Sequence, residues 1–259
     1  MNRTLHFASF AWRSELGLHR DGNEDSGLVS QNLIAVADGM GGYAGGEVAS
    51  RTAIKTLADL LPVLNNPELD PQSRDDIFRT SIAEIDLAIR KIADEKPELD
   101  GMGTTLTSFS LFDSQLNLLH VGDSRAYRIR GKTITRLSHD HTVVQELIDQ
   151  GRITQAEASD HPQRSFLTQA LMGKSNVDAP LLSFPAEVGD IYLLCSDGLT
   201  VVVDEGKIAA ALQEDLQAAV NSLVDLTYKK DAPDNVTVIA VRIGDIPGAV
   251  ETTLIGAAQ

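Results

Sequence analysis

The residues of this chain best suited to chemistry are acids that terminate apolar runs. Leu33-Ile34-Ala35-Val36-Ala37 ends in Asp38, and Gly39, Gly41 and Gly42 follow within four positions. Leu118-Leu119-His120-Val121-Gly122 ends in Asp123, and Tyr192-Leu193-Leu194-Cys195-Ser196 ends in Asp197. Asp234 immediately precedes Asn235-Val236-Thr237-Val238-Ile239, and Glu24-Asp25 precedes the run that leads to Asp38. Apolar runs of this kind read as buried strands. A single acid followed by glycines fits a polar strand end and a tight turn equally well. Acids at so many strand ends exceed what solvation requires. If those ends meet, several carboxylates share one cavity and repel each other unless a cation neutralises them. With almost no His or Cys nearby, that cation is a hard one with oxygen ligands, Mg²⁺ or Mn²⁺. Arg20, four positions before Glu24, is the basic member of the set. A guanidinium among such acids suits a phosphate oxygen; the plainer alternative is a surface salt bridge to Asp21 or Glu24.

The elements that must position these acids are read from period and punctuation. Residues 5–12 read as a first strand and 13–25 as a polar loop. Residues 28–37 are strand-like, with a polar break at Gln31-Asn32 that suggests a hairpin. Residues 47–61 have helical spacing with Pro62 as the stop, and Ile82, Ile85, Ile89 and Ile92 stripe a longer helix that ends at Pro97. Asp86 and Arg90 are spaced as an i,i+4 pair on another face of that helix. Residues 104–112, 116–121, 125–130 and 133–137 predict an antiparallel meander. Residues 181–184 and 190–195 return to strand, 205–212 and 216–228 read as helices, and 235–243 as a closing strand. Residues 138–178 are polar, carry His139, His141 and His161, and read as an insertion over a site. The order does not alternate as a parallel βαβ fold would, so it predicts an α+β protein, antiparallel sheets covered by helix pairs. Residues 1–245 read as a single domain without repeat or linker, and 246–259 as a short flexible tail.

Composition narrows the partners. The chain has 259 residues, 22 Lys and Arg against 37 Asp and Glu, and a net charge of −15. Such a surface repels nucleic acid and anionic membranes, and it repels phosphate esters too unless bound metal reverses the sign locally. Aromatics, at 5%, are too few for a base-stacking surface. Cys195 is the one cysteine, which fits a reducing compartment. The first residues lack a secretory pattern, and no apolar run reaches the roughly 18 residues of a membrane span. The expectation is a soluble, cytoplasmic chain, or the cytoplasmic domain of a membrane-anchored one.

Ser14-x-x-Gly17-x-x-Arg20-x-x-Asn23-Glu24-Asp25, Ala37-Asp38-Gly39-Met40-Gly41-Gly42, Gly101-Met102-Gly103-Thr104-Thr105, Val121-Gly122-Asp123-Ser124-Arg125, Asp140-His141-Thr142, Leu194-Cys195-Ser196-Asp197-Gly198-Leu199 and Pro233-Asp234-Asn235-Val236-Thr237 occur in that order. Together they resemble the bacterial metal-dependent serine/threonine phosphatases of the PP2C (PPM) family, over residues of about 5–243. The runs Pro97-Glu98-Leu99-Asp100-Gly101 and His161-Pro162-Gln163-Arg164-Ser165 look most similar to actinobacterial members that oppose Hanks-type kinases. The resemblance implies an antiparallel β-sandwich flanked on each face by a helix pair, a four-layer αββα arrangement, with residues 138–178 as a flap. It implies that two to three Mn²⁺ or Mg²⁺ ions are held. Asp38 would bridge two of them, the Gly39 carbonyl would face the second, and Asp197 and Asp234 would complete the first. Asp123, with Asp197, would hold a third ion, and Glu24 and Asp25 would act through water. Arg20 would bind the substrate phosphate. Ions roughly 3.5–4 Å apart share a water and lower its pKa; the hydroxide attacks phosphorus in line, without a phosphoenzyme. Met40 and Tyr43 stand where some related enzymes carry His, which leaves metal-bound water, His141 and His161 as candidate proton donors. The implied partners are phosphorylated proteins, Hanks-type kinases among them, and the implied state is a monomer.

Other signatures fail on their own chemistry. Gly39-x-Gly41-x-x-Ala44 mimics a dinucleotide fingerprint, but Asp38 would face the pyrophosphate and no parallel strand follows. Asp21-x-Asn23-x-Asp25 begins like an EF-hand, but Ser26 and Asn32 occupy its glycine and glutamate positions. Val201 stands where a Cys-x₅-Arg phosphatase would need its arginine. Two rival functions remain: a non-catalytic scaffold that binds phosphoproteins, which should have lost one of the acids, and a hydrolase of small phosphate monoesters.

Overall fold

The computed structural model describes residues 4–42, 45–158, 160–174, 177–213 and 215–259. In chain order the elements are β1 (His6–Glu15), β2 (Asp25–Val29), β3 (Leu33–Met40), α1 (Gly45–Leu64), α2 (Pro71–Glu95), β4 (Gly103–Thr104), β5 (Leu106–Phe112), β6 (Gln115–Val121), β7 (Arg125–Arg130), β8 (Thr133–Arg136), α3 (Val143–Asp149), α4 (Gln155–Ala158), β9 (Leu182–Pro185), β10 (Ile191–Cys195), α5 (Asp197–Thr200), α6 (Glu205–Ala211), α7 (Leu216–Tyr228), β11 (Val236–Gly244) and β12 (Thr253–Gly256). One sheet runs β1-β11-β10-β7-β8 and the other β12-β2-β3-β5-β6-β9, with β4 added to β3. Neighbouring strands are antiparallel throughout.

The central strands β3 and β10 are buried on both faces, and each face serves a different layer. Ile34 and Val36 of β3 meet Phe109, Leu194, Ile239 and Val241 between the sheets, where the Phe109 and Tyr192 rings cross edge-to-face at 5.2 Å. Leu33, Ala35 and Ala37 face the other way, onto Ala53, Leu57, Ile82 and Ile85 of α1 and α2. In β10, Leu193 and Cys195 turn outward onto Val220 and Leu223 of α7. The result is the expected four-layer αββα sandwich. Continuous apolar runs, rather than alternation, are the signature of strands covered on both sides.

Three local expectations are corrected. Pro62 lies inside α1 and does not end it; burial of Leu61 and Leu64 carries the last turn past it. Residues 246–259 are not a flexible tail, since β12 pairs with β2 from Thr253↔Val29 to Gly256↔Ser26 and buries Ile255. Asp86 is buried and accepts the Met172 and Gly173 N–H groups at 3.1 and 2.7 Å, while Arg90 faces Asp94. Asp86 therefore anchors the end of the 138–178 insertion to α2. Among the described residues no helix is long and apolar enough to cross a membrane.

Candidate active site

Strand register brings the acids together. Asp25 opens β2 and pairs with Asp38 near the end of β3. Asp38 exchanges hydrogen bonds with Thr105: its N–H donates to Thr105 Oγ1 and its carbonyl accepts the Thr105 N–H, both at 2.9 Å. The β5–β6 register continues this row to Val121 and the Gly122-Asp123 turn. In the other sheet, Cys195 of β10 pairs with Val238 of β11 and Arg125 of β7. Asp197, two residues beyond, thus falls between Asp234 and Asp123. The two rows occupy the same end of the sandwich, and hydroxyls join them. Ser196 Oγ donates to Asp25 Oδ2 at 2.7 Å, and Thr105 Oγ1 shares a hydrogen bond with Ser124 Oγ at 2.8 Å.

Glycines permit the close approach. A Cβ on Gly39 would collide with the Gly46 carbonyl of α1, and one on Gly198 would collide with the Asn235 carbonyl. The first lets the helix start pack against the Asp38 strand. The second lets the Asp197 turn touch the Asp234 segment. Asn235 finishes the corner: its Oδ1 accepts the Glu24 N–H at 2.9 Å, and its Nδ2 donates to the Gly22 carbonyl at 3.1 Å.

The electrostatics are those of confined like charges. Burial, then the fields of Asp25, Asp197, Asp123 and Asp234, push the Asp38 carboxyl well above its ordinary range. Burial pushes Asp25 up to about 7, against the Ser196 and Thr237 hydrogen bonds. Asp197 is pushed up to about 6 by burial and Asp234, and Asp123 to about 8 by burial and Asp197. Glu24 is raised by burial, with Arg20 opposing. Asp25 Oδ1 is buried without a hydrogen-bond partner, although such atoms are nearly always satisfied. Among the described residues, no three acidic, imidazole or thiol side chains are drawn to a common ion-holding distance.

The basic and imidazole candidates fall differently. Arg20 is half exposed at the rim and donates from Nη2 to Asp234 Oδ2 at 2.5 Å. The plainer alternative, a salt bridge to Asp21 or Glu24, is not the one formed; the acid it meets lies 214 positions away in sequence. His141 lies against the Asp123 turn. Its Nδ1 accepts the Gly122 N–H at 3.1 Å, and its own N–H donates to the Gly122 carbonyl at 2.8 Å. Behind it the His120 ring lies 5.0 Å away, bonded to Thr107 Oγ1 and the His139 carbonyl. Burial pushes His120 down to about 4 and lowers His141, so both are neutral near pH 7. His161 accepts the Gln163 N–H in a turn of the insertion. Met40 follows the acid turn on β3; Tyr43 lies outside the described residues. A cavity of about 260 Å³ runs from Asp123 and Asp197 under α3 and α4, past Arg164 and Ser165. On its floor Arg125 grips Asp140 through Nε and Nη2, at 3.0 and 2.7 Å.

Comparison with known proteins places this arrangement. Residues 21–223 match the family model described as Protein phosphatase 2C. The chain is 41% identical to the serine/threonine protein phosphatase PstP of Mycobacterium tuberculosis, over 99% of this chain and 49% of that protein. It therefore spans about half the length of this relative. It is 34% identical to the serine/threonine phosphatase stp of Listeria welshimeri, over 89% of this chain and 94% of that one. A crystal structure of the PstP catalytic domain in complex with two manganese ions superposes with a TM-score of 0.83 at 39% identity, covering 93% of this chain and 99% of that one. The chain belongs to the protein phosphatase 2C family.

Within this PP2C domain, the sequence located Glu24, Asp25, Asp38, Asp123, Asp197 and Asp234 at one end of the sandwich. It did not find the hydroxyl and amide groups that tie them together: Ser14, Asn23, Thr105, Ser124, Ser196, Asn235 and Thr237. Their signal was present, since most stand beside an acid in the motif runs. A hydroxyl next to an acid, however, reads equally as an ordinary turn residue.

Proposed function

We propose that this chain is a metal-dependent protein phosphatase that hydrolyses phosphoserine and phosphothreonine on proteins. One observation carries the reading: buried carboxylates from both sheets converge on one end of the sandwich, driven toward protonation by burial and by each other, and the neighbouring bases, Arg20 paired with Asp234 and Arg125 paired with Asp140, do not offset that rise. Such a set is stabilised by a hard divalent cation, and an all-oxygen donor set fits Mn²⁺ or Mg²⁺. The unpartnered Asp25 Oδ1 and the manganese bound by the PstP catalytic domain agree with this. The residues fit by donor chemistry, not as a cage already closed.

In this reading Asp38, the Gly39 carbonyl, Asp197 and Asp234 would hold two ions, and Asp123 with Asp197 would hold a third. Glu24 and Asp25 act behind them, Asp25 from a buried position fixed by Ser196. When bound, the ions supply an acidified water and positive charge for the phosphoryl group. Arg20 presents guanidinium donors at the rim and orients the phosphate, using N–H groups not engaged by Asp234. His141 holds the Asp123 turn through Gly122, and this contact is the role we assign it rather than proton donation; His161 shapes its own turn. The substrates are phosphorylated proteins, including Hanks-type kinases, met in the cytoplasm by a monomer.

The test is hydrolysis of p-nitrophenyl phosphate and of phosphothreonine peptides with Mn²⁺, Mg²⁺ or chelator. Turnover of both with either metal, abolished by chelator, is the expected result. Full activity in chelator overturns the metal reading. Phosphopeptide binding without turnover favours the scaffold, and turnover of small esters alone favours the monoester hydrolase.

A further inference from the structure

A second cavity, about 420 Å³, lies beside the acid cleft, and Ser165 lines both. Met40, two residues beyond Asp38, forms part of its wall, and Phe166, Leu167, Ala170, Met172 and Val177 form most of the remainder. This lining is fixed to the sandwich. Met40 pairs with Gly103 of β4, and the next residue, Thr104, exchanges backbone hydrogen bonds with Leu171 at 3.0 and 2.9 Å. Met172 and Gly173 donate their N–H groups to Asp86 of α2. Phe166, 57% exposed, stands among these residues as one of the most solvent-exposed large apolar side chains of the protein. Its backbone is held too, since its carbonyl accepts the Val143 N–H at 2.9 Å.

An exposed, concave, mostly apolar surface beside a charged site is suited to bind an apolar group. Methionines in such a wall adapt to the shape of what enters. The occupant follows from continuity. A polypeptide whose phosphorylated residue lies at Asp38 has its neighbouring residues within reach of Met40, because β3 carries both. Charge does not choose the occupant: the adjoining cleft displays Asp123, Asp140 and Asp197 beside Arg125 and Arg164, and Lys174 stands in the wall of the cavity itself.

Resting on the phosphatase reading above, we infer that this cavity is a specificity subsite for a large apolar side chain flanking the phosphorylated serine or threonine of a protein substrate. The test uses the whole chain with Mn²⁺ and a set of phosphothreonine peptides. Leu, Ser or Glu is placed in turn at each of the two positions on either side, with p-nitrophenyl phosphate as the substrate that has no flanks. At one or more positions the Leu peptide should exceed both the Ser and the Glu peptide about tenfold in kcat/KM. Phe166→Ser should bring the Leu-to-Ser ratio toward one, and the ratio cancels any general loss of activity. Hydrolysis of p-nitrophenyl phosphate with equal rates for all peptides overturns the subsite and leaves the phosphatase reading standing. A Leu preference unmoved by Phe166→Ser overturns it as well. No hydrolysis of any of these esters with Mn²⁺ overturns both.

Discussion

Strand β10 has an aspartate beyond each end, and the two have opposite surroundings. Asp190, before the strand, is 2% exposed and takes Arg130 Nε and Nη2 at 2.7 Å each, the Glu187 N–H at 2.9 Å and the Tyr192 hydroxyl at 3.3 Å. Burial opposes its charge, but Arg130 and the Glu187 N–H outweigh burial and hold the carboxyl below its usual range. Asp197, after the strand, is surrounded by Asp38, Asp123 and Asp234, and burial with Asp234 raises it. Residue type and strand are the same; what differs is that Arg130 grips Asp190 directly and outweighs burial, while Arg20 and Arg125 act on Asp197 only from a distance and do not. Asp140 with Arg125 and Asp86 with its two amides follow the Asp190 pattern. These structural acids are thus satisfied within the chain, whereas the carboxylates beyond the other end of β10 stay raised by burial and by one another.

Substitution at each end should separate the two patterns. Asp38→Asn should lower Mn²⁺-dependent hydrolysis of p-nitrophenyl phosphate by about 10³-fold or more. It should not lower the melting temperature in chelator, because a repelling charge is removed. A large fall in that temperature would show the acid end to be structural after all. Asp190→Asn should do the reverse, costing about 2 kcal/mol in urea unfolding because Arg130 loses its charged partner, with kcat/KM of the folded enzyme retained.

The pH dependence of the metal-free protein sharpens the contrast. Asp25, Asp123 and Asp197 are raised in the fold to about 7, 8 and 6, above an unfolded value of about 3.9. Groups raised on folding contribute stability that is fully present below the unfolded value and lost as pH rises through the folded ones. In chelator, stability should therefore fall from about pH 4 to 8, by about 1.4 kcal/mol per pH unit for each of these groups still protonated in the fold, and Mn²⁺ should flatten the slope. Asp190, lowered in the fold, remains ionised across that window and adds nothing to the slope. A chelator-treated protein equally stable at pH 5 and 8 would break the comparison. The smallest effect concerns the clamp on the Asp123 turn. His141→Ala should reduce turnover and Mn²⁺ affinity about tenfold, with partial recovery in His141→Asn, measured by metal titration of activity.

Much of the site was legible because its signals are local. An apolar run that stops at Asp38, Asp123 or Asp197 beside a turn residue is visible in ten residues of sequence. Other features were hidden because they depend on distant residues. Arg20 meets Asp234, and His141 holds Gly122 across 19 positions. Pro62 was misjudged because a proline rule cannot register the burial of Leu64, and 246–259 because its short Thr253-Leu254-Ile255 run is strand only when β2 lies beside it.

By itself the sequence determined the elements, the layer order and the placement of acids at strand ends, since hydrophobic period, glycine and proline act over a few residues. Only the tertiary structure decided that these ends share one cavity. β11 inserts between β1 and β10, Asp25 registers with Asp38, and Ser196 reaches across the sandwich to Asp25. Those pairings are chosen by burial of whole faces among strands far apart in the chain, and no local pattern encodes which ends will touch.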